Sequence, residues 1–153
     1  MYIVLVLLQT VVFPILSGSI ALAITHGDPI STFGQWFLFW AVGTRLLVAG
    51  ISQVIRPGFT VHNILGEANA GAAQIAQELG FANLSIGVGA IVAAFAGDWG
   101  IPAALIGGLF LGLAGVRHLP KRHPNAKETV ATWTDLLVFV VMAVYVIHGI
   151  VIR

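Results

Sequence analysis

Five stretches of this chain, each close to the length needed to cross a bilayer, carry almost no ionisable side chains: residues 1–25, 33–55, 80–97, 99–119 and 133–152. A spanning helix needs about 20 predominantly apolar residues, and in lipid the backbone must satisfy its own hydrogen bonds. Pro14 is expected to kink the first stretch, and Pro57 with Gly58 to stop the second. Only 8% of the residues are charged, against about 25% in soluble domains. A surface so poor in charge cannot face water. The expected fold is all-α: a polytopic membrane helical bundle of about five transmembrane helices forming a single domain over residues 1–153. The first stretch lacks the basic residues that open a secretory signal. It is therefore expected to be retained, although Ala21–Leu22–Ala23 resembles a cleavage site.

Between the second and third stretches, residues 60–79 place Ile64, Leu65, Ala68, Ile75, Ala76 and Leu79 at helical spacing, with His62, Glu67, Gln74, Gln77 and Glu78 elsewhere. That pattern predicts an amphipathic helix lying at the membrane interface. Residues 120–129 read as an exposed basic loop. The cations Arg56, Arg117, Lys121, Arg122 and Lys127 fall in loops on one side, whereas the opposite loops hold Asp28 and Asp98. The excess of Lys and Arg in cytoplasmic loops predicts an N-terminus in the cytoplasm and a C-terminus in the periplasm of a bacterial inner membrane. Trp36, Trp40 and Trp99 then form an outer aromatic belt and Trp133 an inner one.

The absence of cysteine excludes disulfides, thiolate metal sites and thiol redox chemistry. No basic stripe suggests nucleic acid, and no catalytic motif stands out. His26 and His148 share one side, but nothing in their spacing specifies a metal, and haem is not expected. Ala104, Gly108, Gly112 and Gly115 form a small-residue face suited to close helix packing.

Arg45 is the residue most in need of explanation. Near the middle of a spanning helix, a charge costs at least about 2.5–3.5 kcal/mol on insertion scales. It shares a face with Ala41, Ala49 and Ser52, so it is expected to point into the bundle toward an anion, either Asp135 or Glu78. Gln9, Arg45, Gln53, Glu78, Asn83, His118 and Asp135 all fall in the same half of the expected bundle. Among these, Arg45, Glu78, Asn83, His118 and Asp135 are the candidate lining of a polar pocket. Asn83 aligns with Gly87, Ala90 and Ala94, whereas Glu78 lies on another face unless Gly80 breaks the helix. The competing structural reading is an ion pair that fixes helix register and an asparagine that joins two helices.

The run "RLLVAGISQVIRPGFT", an amphipathic stretch and "QELGFANLSIGVGAI" together resemble the DoxX-like superfamily of small bacterial membrane proteins. Arg45, Gly50 and Glu78 match its pattern, with Gln53 where a lysine is often found. "ELGFANLSIG", "GLAGVRHL" and "TWTDLLVF" resemble the blocks of an uncharacterised bacterial family. The resemblance covers residues 36–150 and implies a four-helix core preceded by an added helix. The resemblance supports a fold more than an activity. Small size, small-residue faces and the lack of catalytic motifs lead to the expectation of a non-catalytic accessory or assembly subunit that binds membrane lipid or quinone and contacts another membrane protein or its own copies. The alternatives are a quinone-linked redox component and a carrier or proton-coupled channel.

Overall fold

A computed structural model describes residues 2–61, 70–120 and 125–152. Among these there are five long helices: α1 (Tyr2–Thr25), α2 (Pro29–Ile55), α3 (Ala70–Ala93), α4 (Gly100–His118) and α5 (Ala126–Val151). All five are long and apolar enough to cross a membrane. Local chemistry sets their ends. His26 closes α1 in the left-handed conformation, φ 51°, with its N–H on Leu22 O, a conformation that histidine adopts more readily than most residues. Asp28 then caps α2, accepting from Ser31 N at 2.8 Å, with Pro29 at the first helical position. At α5, Asn125 Oδ1 accepts from Glu128 N at 2.9 Å, and Glu128 Oε2 accepts from Asn125 N at 3.0 Å, a reciprocal capping box.

The second helix is the hub, touching the other four. Its pairing with α3 brings backbone against backbone. A Cβ added to Gly50 would lie 2.8 Å from Gly80 O, and one at Gly87 would lie 2.6 Å from Leu47 N. Backbones meet there because no side chain intervenes, the geometry that lets helices associate without a hydrophobic drive. In the α4–α5 pair the glycines of α4 instead make room for side chains of α5: Gly108 faces Met142, Gly112 faces Phe139 and Gly115 faces Leu136. Both pairs run antiparallel, since rising numbers on one helix meet falling numbers on its partner. The core lies between these pairs, around Leu38, Val42, Leu46, Ala90, Ala104, Val138 and Met142. The outward faces carry Leu16, Ile24, Phe81, Leu113, Val140 and Ile147, all exposed, as lipid-facing helices require.

Two helices depart from α geometry. Each contains a π-helical segment, Leu8–Val12 in α1 and Leu38–Thr44 in α2. In α1, Phe13 N–H bonds Leu8 O five residues back, and Pro14 has no N–H to offer Thr10 O. In α2, Arg45 N–H closes onto Trp40 O, also five residues back. The two π segments pack against each other.

Several sequence expectations change. The helix passes through Gly80 unbroken, so residues 70–79 are the first turns of α3 and not a separate interfacial helix. Pro57–Thr60 form one short helical turn, and residues 62–69 of the expected amphipathic segment lie outside the described residues. Residues 121–124 of the expected basic loop also lie outside them, while residues 126–129 already belong to α5. At α2 and α5 the helix overruns the apolar stretch because its first turn is held by a cap, Asp28 and Asn125, and not by hydropathy. Trp99 and Trp133 are exposed at opposite ends. Trp36 and Trp40 instead pack sideways with Phe13, Phe39 and Phe95, ring centroids 4.8–5.9 Å apart.

Candidate functional site

The Arg45 side chain is about ten residues from the end of α2, roughly 15 Å deep at the helical rise per residue. Its partner is Asp135: Nη2 of Arg45 forms a buried ion pair with Asp135 Oδ1, and the same nitrogen donates to Thr134 Oγ1 at 3.2 Å. Thr134 is free to accept because its own proton goes to Val130 O at 2.7 Å. Tyr2 from α1 lies within electrostatic reach of both charges, and His118 from the last turn of α4 within reach of Asp135. Four helices thus converge on one neutral pair. Both side chains are about nine-tenths buried, and their pairing avoids leaving an isolated charge in the low-dielectric interior.

The other candidates separate from this group. Asn83 is buried at the α2–α3 interface, where Nδ2 donates to Gln53 Oε1 at 2.6 Å. Gln77 Nε2 reinforces the seam by donating to Val54 O at 3.2 Å. Glu78 is exposed on α3 and accepts from Gln74 Nε2 at 3.4 Å; it does not contact Arg45. The face shared by Asn83, Gly87, Ala90 and Ala94 is buried throughout, as its alignment predicts.

A second polar seam joins the π segments. Gln9 Nε2 donates to Thr44 Oγ1 at 3.2 Å, and Thr44 in turn donates to Trp40 O at 2.9 Å. Trp40 Nε1 donates to Ser17 Oγ at 3.0 Å. Two buried atoms among the described residues have no hydrogen-bond partner: Thr10 Oγ1 in the π segment of α1, and Nη1 of the Arg45 guanidinium whose Nη2 engages Asp135. Asn83 Oδ1 is a third such atom, at the α2–α3 seam. The sequence reading passed over Tyr2, Thr10 and Thr134. Thr10 was hard to see because helical threonines ordinarily bond their own backbone, as Thr25, Thr44, Thr129, Thr132 and Thr134 do.

At the opposite end, His148 Nε2 lies 2.7 Å from Asp28 Oδ2, tying the end of α5 to the cap of α2. The Ser31 backbone N–H, followed by the bond to His148, holds the Asp28 carboxyl below its ordinary range. Asp28 thus engages His148, and among the described residues no group of three metal-ligating side chains gathers.

Two grooves open on the membrane-facing surface. The larger, about 510 Å³, runs between α3 and α4 and is lined by Ser85, Gly89, Ala90, Ala93, Trp99 and Ala103, among others. A Cβ at Gly89 would meet nothing within 4 Å. The smaller, about 210 Å³, lies between α4 and α5.

A model described as a family of unknown function, DUF6790, matches residues 1–149. The chain belongs to the DUF6790 family. The match takes in α1 together with the four-helix remainder, so the leading helix is part of the DUF6790 unit and not an appendage to it. No curated protein and no solved structure matches the chain.

Proposed function

We propose that this DUF6790 protein is a non-catalytic accessory or assembly subunit of a larger membrane complex, with the α3–α4 groove receiving a transmembrane helix of its partner. The observation that carries the reading is the groove itself, apolar and floored by Gly89, Ala90, Ala93 and Ala103. Small residues let a second helix approach closely enough for dispersion contacts to hold it. The polar side chains, by contrast, mostly turn on one another inside the bundle: Arg45 on Asp135, Asn83 on Gln53, Gln9 on Thr44. The resemblance of the four-helix part to DoxX-like proteins, some of which serve as subunits, supports the same reading. The basic residues Arg56, Arg117 and Lys127 at one end of the bundle support an N-terminus in the cytoplasm, and the resemblance to small bacterial membrane proteins supports the bacterial inner membrane.

Native mass spectrometry of the tagged protein, gently extracted from its own membranes, tests this. The expected result is one protein partner at fixed stoichiometry, lost in Gly89→Leu, a change the open space at Gly89 accommodates. A chain found without any protein partner, or a complex indifferent to Gly89→Leu, would refute it.

A further inference from the structure

We infer that the helix received by the α3–α4 groove is α4 of a second copy of this chain, the two copies being related by a two-fold axis along the membrane normal. The inference rests on the reading of that groove as a helix-receiving site and names its occupant. The first observation is the layout of α4. Two grooves run along it, the larger on the side of Ala103 and Ile106, the smaller on the side of Ala104 and Gly108. Between them α4 stands out as a ridge: Pro102, Ile106, Leu109 and Leu113 are all exposed and recur every three or four residues, one stripe of a helix. An outward stripe alone selects no occupant, since Leu137, Val140 and Val144 make one on α5 as well. What sets α4 apart is a small-residue hollow beside the stripe. Groove and ridge lie side by side on one surface, and an isologous contact requires that the same patch supply both the hollow and the side chains that fill it.

Depth is the second observation. Two copies inserted in the same orientation are related by an axis along the normal, so neither is shifted in depth against the other. Whatever fills the groove must therefore come from the groove's own level. The groove is lined by Trp99 to Ile106 on the α4 side and by Ser85, Gly89 and Ala93 on α3. Pro102 and Ile106 stand within that same stretch of α4, and Leu109 lies about one turn further along. The ridge thus meets the depth condition without any adjustment. Charge is the third. Neither the groove lining nor the ridge carries a charged side chain, so identical faces meet without the repulsion that like charges suffer in a low dielectric. Ser85 donates to Phe81 O at 2.9 Å and needs nothing from a neighbour. Gly89, where a Cβ would meet nothing within 4 Å, is the open floor on which a ridge side chain of the second copy seats, with the close approach that small residues permit.

Disulfide trapping of the full chain in the membranes of its own host tests this. With no native cysteine, a single introduced thiol can bridge only to the same position of another copy or to a different protein. Ile106→Cys and Leu109→Cys place the thiol on the ridge. Leu16→Cys, as far from Thr25 as Leu109 is from Gly100, places one at a similar depth on the exposed face of α1. Oxidation with copper phenanthroline should give a band at twice the chain mass from a ridge variant and only background from Leu16→Cys. Adding Gly89→Leu, which the open space lets fold, should cut the ridge band about tenfold, the effect of about 1.4 kcal/mol of lost packing. Ridge variants that stay monomeric, an equal band from Leu16→Cys, or a ridge band indifferent to Gly89→Leu would each overturn the second copy. Monomeric ridge variants together with a different protein in native mass spectrometry, lost in Gly89→Leu, would leave the groove reading standing with another occupant. If that protein is absent too, both readings fall.

Discussion

Arg45 and Asp135 stand or fall together. Removing one member of a buried ion pair strands the other charge and typically costs 3–5 kcal/mol, whereas replacing both with apolar residues is often neutral or stabilising. Arg45→Ala or Asp135→Ala is therefore expected to destabilise the bundle by about 3–5 kcal/mol, and Arg45→Met with Asp135→Leu to recover most of that loss. Reversible unfolding in mixed detergent micelles measures both. If the double variant is as unstable as the single ones, the pair is not the self-contained unit described here. Glu78→Gln gives the contrast: an exposed side chain that accepts a hydrogen bond from Gln74 should change stability by no more than about 0.5 kcal/mol. The need of Arg45 for an anion was legible from its position in an apolar run. The choice between two carboxylates was not, because it depends on α5 packing beside α2, and no residue spacing encodes that neighbour. Thr10 was illegible for a different reason. Only the π geometry around it shows that it lacks the backbone bond a helical threonine normally makes.

At the scale of the helix, Gly87 and Gly89 are two residues apart on α3 yet face opposite surroundings. A methyl group at Gly87 would press on the backbone of α2, 2.6 Å from Leu47 N, and backbone cannot yield unless the helices part. Gly87→Ala should cost about 1–3 kcal/mol, the usual range for overpacking. Gly89→Ala, whose methyl meets open space, should be neutral within about 0.5 kcal/mol. The same unfolding measurement separates them, and equal effects would mean that α2 and α3 are not in backbone contact. The small-residue face of α4 was legible because Ala104, Gly108, Gly112 and Gly115 repeat at helical spacing, and all four are buried. The ends of α2 and α5 were also written in the chain, as Asp28–Pro29 and as Asn125 with Glu128, but hydropathy alone set them too far inward. Only Pro14 hinted at the π segment of α1. Nothing in the composition of residues 38–44 marks the one in α2.

For the molecule as a whole, the five-span bundle followed from apolar length, while the role of α2 as hub did not, since helices of similar hydropathy give no hint of which is central. The bundle is tied at its acidic end by Asp28, which caps α2 and holds His148 of α5. The folded state lowers the Asp28 pKa, chiefly through the Ser31 N–H. Its contribution is thus complete above the unfolded value, about 3.9, and is lost as pH falls through the lower folded value. Thermal midpoints should drop in that acidic window, and Asp28→Asn should reduce the drop. The proposed orientation rests on the basic end. With no native cysteine, single cysteines report exposure without background. Thr129→Cys sits at the basic end and Ile152→Cys at the far end of α5, both exposed. In intact spheroplasts an impermeant maleimide should label Ile152→Cys at once and Thr129→Cys only after lysis. The reverse order would invert the orientation and leave the bundle intact. Labelling of both from one side would mean that α5 does not span, and the loss of that span would remove Asp135, and with it the partner of Arg45, from the membrane interior.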